Sequence, residues 1–184
     1  MNASDRDDVR MPYERSGMVP WDDVSVFVQS WNGVAATLID RHLNVSSSSE
    51  LAIALFPRLR EGVNLAREFF LNASRYESDC ADRISQQVVA ALHASLAWHE
   101  QDPEFEEIVG ELSAMSGAFS DAWANDPQAL RPHGVLRVLH TTEGEVAIKY
   151  QLLELMSGRN DVLIIWRGAD ADSESALQRL AASA

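Results

Sequence analysis

The chain has 184 residues, with 15 basic and 28 acidic side chains and a formal charge of -13. That is a one-domain length, and the charge, with Lys149 the single lysine, leaves no phosphate-neutralising surface for nucleic acid and disfavours anionic membranes. No run approaches the ~20 apolar residues of a membrane span, and the polar, acidic start MNASDRDDVR is not a secretory signal.

Residues 1–19 are charge-rich and carry Pro12 and Gly17, so a flexible tail is expected there, followed by one domain over residues 20–184. Pro20-Trp21-Asp22 opens a first helix that runs to Trp31, with Val24, Phe27, Val28 and Trp31 at helical spacing. Val34 to Asp40 and Leu43 to Ser46 read as two short strands joined at Arg41-His42. The pattern Ser47-x-x-Glu50 is a capping box opening a helix to Phe56, which Pro57 interrupts. A further helix, Val63 to Leu71, follows Gly62.

A long helix is predicted from about Asp79 to His99, with Ile84, Val88, Ala91, Leu92, Ser95 and Leu96 on one face. The single cysteine, Cys80, near its start reads as an ordinary small helix residue; it cannot form an internal disulfide, which suits a cytoplasmic protein. Pro103 starts the next helix, which turns Phe105, Ile108, Val109 and Leu112 inward. Met115 and Phe119 continue that stripe toward Ala122 and Trp123.

The last third changes period. Val135 to His140, Val146 to Leu155 and Val162 to Arg167 read as strands joined by Gly-containing turns. Val146, Ile148, Tyr150 and Leu152 alternate with Ala147, Lys149 and Gln151. These strands form an antiparallel meander. With the two early strands they give a five-stranded sheet, apolar on one face and polar on the other. Ser173 to Ala184 forms a closing helix with Leu177 and Leu180 inward. The fold class is α+β, with the helices packed on one face of the sheet.

No catalytic motif is present, so the chain is not expected to be an enzyme, and no cofactor is implied. The histidines are His42, His93, His99, His133 and His140; their spacing supports no metal site. The acids Asp102, Glu104, Glu106, Glu107 and Glu111 read as a solvated helix face. The aromatics Phe69, Phe70, Phe119, Trp123, Tyr150 and Trp166 come from separate elements. They either fill the core or line an apolar small-molecule site of ~300 Å³ or more.

The stretch from Asp102 to Asp126, DPEFEEIVGELSAMSGAFSDAWAND, resembles the C-terminal half of the MmyB-like ligand-binding domain of bacterial transcription regulators. Asn64-Leu65-Ala66-Arg67 with Phe70, the run Val88 to Leu92, and His140, Gly144-Glu145 and Tyr150 are similar to further motifs of that family. The similarity runs from about Val34 to the C-terminus. The chain departs from the family's pattern at Ser47-Ser48-Ser49-Glu50 and at Asn125-Asp126-Pro127.

The resemblance implies a PAS-like sensor domain that binds a small, apolar molecule, with an acyl-chain-like compound as the candidate. Phe69, Phe119, Trp123, Tyr150 and Trp166 are the candidate ligand-binding residues. In the family the domain follows a DNA-binding helix-turn-helix, for which the residues before Val24 give no room. Signalling through a homodimer or partner protein, without direct DNA contact, is therefore expected. The alternative is a ligand-free dimerisation or protein-interaction module.

Overall fold

The computed structural model describes residues 21–72, 78–125, 129–156 and 159–183. The tail expected over residues 1–19 lies outside them. In chain order the elements are α1 (Trp21–Gln29), β1 (Ala35–Ile39), β2 (Val45–Ser48), α2 (Glu50–Leu55), α3 (Leu65–Leu71) and α4 (Ser78–Ser95). A single 3-10 turn, Leu96–Trp98, extends α4. Then come α5 (Pro103–Met115), α6 (Gly117–Ala124), β3 (His133–Thr141), β4 (Gly144–Glu154), β5 (Val162–Gly168) and α7 (Ala171–Ser183).

The strands form one five-stranded antiparallel sheet in the order β2-β1-β5-β4-β3, as an α+β arrangement. The first and last strands thus meet at the centre, with Ala35 opposite Trp166 and Ile39 opposite Val162. Helices α2 to α6 form the connection between β2 and β3. They lie on one face of the sheet together with α7, and Leu51, Phe70, Leu92, Ile108, Phe119 and Leu177 share one apolar core. Alternation on β4 carries this through: Val146 and Ile148 are buried, while Lys149 and Gln151 are exposed on the other face.

That second face is not polar throughout. Over β1 and β5 it presents Ala36, Leu38 and Leu163, and α1 covers them with Val24, Val28 and Trp31. At the far end of β5, a Cβ on Gly168 would fall 2.3 Å from the backbone N of Glu174. Only a glycine lets α7 start that close to the strand, and the Gly168 N–H donates to Glu174 Oε2 at 2.8 Å.

The helix starts differ from the sequence reading in several places: α3 begins at Leu65 rather than Val63 and α7 at Ala171 rather than Ser173, and two further starts are set by serines. The cap of α2 is Ser49, not Ser47. Strand β2 continues to Ser48 because its serines find partners outside a helix cap: Ser47 Oγ donates to the Ser25 carbonyl of α1 at 2.9 Å, and Ser48 Oγ meets Thr37 Oγ1 on β1 at 2.8 Å. The second departure is at Ser116, which ends α5 and caps α6, so the inward stripe does not run through Met115. Met115 stands 68% exposed at the break.

Candidate ligand-binding site

Three side chains start the helices over the sheet. Asn64 Oδ1 accepts from Arg67 N at 3.0 Å and caps α3, while its Nδ2 donates to the His42 carbonyl and to Asn44 Oδ1. Asp102 Oδ1 accepts from Phe105 N at 3.3 Å and caps α5. Ser116 Oγ accepts from Phe119 N at 3.2 Å and caps α6. Each satisfies a helix N–H that would otherwise lack a partner. Arg67, one turn into α3, donates to Glu111 Oε2 at 2.7 Å and ties α3 to α5. The Asn-Leu-Ala-Arg and Asp-Pro-Glu-Phe motifs are thus the joints of the helical layer.

Between this layer and the sheet lies a cavity of about 250 Å³, open to solvent. The sheet contributes Ile39, Gly134, Leu136, Tyr150, Leu152, Ile164 and Trp166. Phe56, Leu65, Phe69, Ile84, Val88 and Ala91 close it from α2, α3 and α4. Phe56 and Trp166, both in its wall, touch with ring centroids 5.4 Å apart. The volume is slightly below the expected ~300 Å³ of a small-molecule site.

Gln86, Gln87, Arg131, His133 and Tyr150 are the polar residues of its wall among those described. Gln87 Oε1 accepts from Arg131 N at 2.7 Å and fixes the loop before β3. Tyr150 stands opposite Gly134 in the β3–β4 register. A Cβ at residue 134 would lie 2.7 Å from Tyr150 Cε1 and 2.8 Å from its oxygen. The missing side chain is therefore the seat of the tyrosine ring. Burial pushes the Tyr150 phenol above its ordinary range, with Arg131 pulling the other way. The phenol stays protonated and offers one O–H to the site.

Of the five residues expected from sequence, Phe69, Tyr150 and Trp166 line the cavity. Phe119 and Trp123 do not. They belong to α6, which packs on α4 and α5. Phe119 is fully buried, edge-on to Phe70 at 5.0 Å and stacked on Trp123 at 5.5 Å. Trp123 is half-buried against His93, 4.0 Å away between centroids, and Phe105. Gly134, Arg131 and the two glutamines escaped the sequence reading. Gly134 lay just before the strand expected from Val135, and β3 in fact starts at His133, so the sign of a glycine within a strand was out of reach.

A second polar constellation lies where the β1–β2 turn meets the start of α5. His42 Nε2 and His99 Nδ1 both reach Asp102 Oδ2, at 2.8 and 2.9 Å, and Arg41 Nη2 lies 3.0 Å from the same oxygen. The hydrogen bond from His99 outweighs burial and, with His42 and the Phe105 N–H, holds the Asp102 carboxyl far below the usual carboxylate range. Asp102 is therefore no part of a solvated acidic face. Glu107 and Glu111, by contrast, pair with Arg67.

The sequence model of the MmyB-like transcription regulator ligand binding domain matches residues 22–180. The chain belongs to this family. The match to the MmyB-like domain starts in α1, ahead of Val34, where the similarity in motifs begins. It takes in every strand, both constellations and most of α7. No curated protein matches the chain. Membership makes this a ligand-binding regulator domain by family. No helix among the described residues is long and apolar enough to cross a membrane.

Proposed function

We propose that this domain is a sensor that holds a small, largely apolar, acyl-chain-like molecule between its sheet and its helices. The observation that carries the reading is the cavity of about 250 Å³, walled mostly by aliphatic and aromatic side chains with a few polar residues among them. Apolar walls with a few convergent polar groups are the usual form of a small-molecule site. Phe69, Tyr150 and Trp166 contact the ligand, and the Tyr150 hydroxyl with Arg131 receives its polar end. The strand order β2-β1-β5-β4-β3 supports a PAS-like description of the fold.

On this reading the domain is not an enzyme and acts in the cytoplasm. It makes no direct contact with DNA, which the charge of -13 supports. Its output passes through a second copy or a partner protein. Val26 and Phe27 on α1, 62% and 59% exposed, favour a contact there. The same residues would serve a ligand-free interaction module.

Denaturing extraction of the purified protein followed by mass spectrometry separates the two readings. A stoichiometric apolar small molecule is expected. Its absence, together with no binding of added fatty acids, would leave only the interaction module.

A further inference from the structure

His42, His99 and Asp102 lie outside the cavity, and the sensor reading does not use them. They come from two segments far apart in sequence, the β1–β2 turn and the approach to α5. Each offers one ligand atom, and the three atoms lie within 4.8 Å of one another. Their side chains are only 9%, 1% and 10% exposed. Two imidazoles and a carboxylate are the donor set of zinc and related transition ions.

We propose that His42 Nε2, His99 Nδ1 and Asp102 Oδ2 bind one divalent transition-metal ion, Zn2+ in the first instance. Bonds of about 2.1 Å in a tetrahedral arrangement set neighbouring ligand atoms roughly 3.4 Å apart. The two nitrogens now stand 2.8 and 2.9 Å from Asp102 Oδ2, so an ion enters by spreading the ligands by about half an ångström. Arg41 must leave Asp102, and at 41% exposure its side chain has solvent to turn into.

The surroundings suit a cation. The other nitrogen of His42 faces two carboxylates, Glu104 Oε2 at 3.6 Å and Asp40 Oδ2 at 3.9 Å. Carboxylates behind a ligating imidazole orient the ring and raise its basicity. Three protein ligands leave a fourth position for water. The ion would also bear on the cavity, since Leu43, directly after His42, lines its wall with a left-handed backbone at φ 65°.

Calorimetric titration of Zn2+ into the metal-stripped full chain tests the site, with Co2+ absorption as a second readout. One ion per chain is expected, with visible Co2+ bands of low-coordinate nitrogen–oxygen ligation. His99→Gln and Asp102→Asn should each weaken Zn2+ binding by on the order of 100-fold. Asp102→Asn retains a good helix cap, so the loss would not reflect unfolding of α5. Far-UV circular dichroism checks each variant, and His42→Gln replaces any that does not fold. No binding by the wild type, or equal binding by wild type and folded variants, would overturn the assignment.

Discussion

Phe69 and Phe70 are neighbours on α3, yet they do different work. One turns to the cavity, and the other meets Phe119 in the solid core. Consecutive helical residues diverge by about 100°, so a two-residue aromatic step can serve both sides of one helix. Phe119→Ala should cost about 3–5 kcal/mol, because it opens a hole among fully packed neighbours. Phe69→Ala, half-buried beside an existing space, should cost under about 2 kcal/mol. Urea denaturation of both variants checks this, and equal losses would contradict the division. Gly134 allows a sharper test. Gly134→Ala should cost about 1–3 kcal/mol through the clash with Tyr150. The cost should largely vanish in a Tyr150→Leu background, and a double-mutant cycle without coupling would refute the contact.

At the level of elements, strand periodicity was legible and polar detail was not. The alternation Val146, Ile148, Tyr150, Leu152 placed one face of β4 correctly, because a pleat has a fixed period of two. The serine run was opaque, since Ser47, Ser48 and Ser49 act through partners in α1, β1 and α2. Ser116 hid a helix break inside an unbroken apolar stripe. The cavity was legible only in part. Which aromatics line it depends on where α6 packs, and a helix stripe names an inward side without naming the neighbour. In the His42–His99–Asp102 cluster, His99 is only 3 positions from Asp102 but His42 is 60 away, a separation no local motif spans.

The two serine caps give a prediction at this scale. Ser116→Ala should cost about 1 kcal/mol as an ordinary cap loss. Ser49 Oγ also accepts from the buried Ala36 N–H at 3.0 Å and donates to the Val34 carbonyl at 2.7 Å. Ser49→Ala should therefore cost about 2–4 kcal/mol, a cap plus a stranded strand N–H. Equal effects in thermal or urea unfolding would show that the bridge to β1 is unimportant.

For the whole molecule, the sheet supplies a rigid floor and α2, α3 and α4 supply the roof over the space between. The α5–α6 pair and its aromatics buttress that roof from behind without entering the cavity. α1 lies on the opposite face. The claim that matters most is that the space takes an apolar molecule, and a thermal-shift titration with fatty acids of graded chain length measures it most directly. At a hundredfold excess over its dissociation constant, a bound fatty acid should stabilise the fold by about 2.7 kcal/mol, on the order of 5–10 °C in melting temperature. Ala91→Phe, which fills the cavity from α4, should abolish the shift. A wild type that no fatty acid stabilises, or an Ala91→Phe variant that responds as the wild type does, would contradict the account.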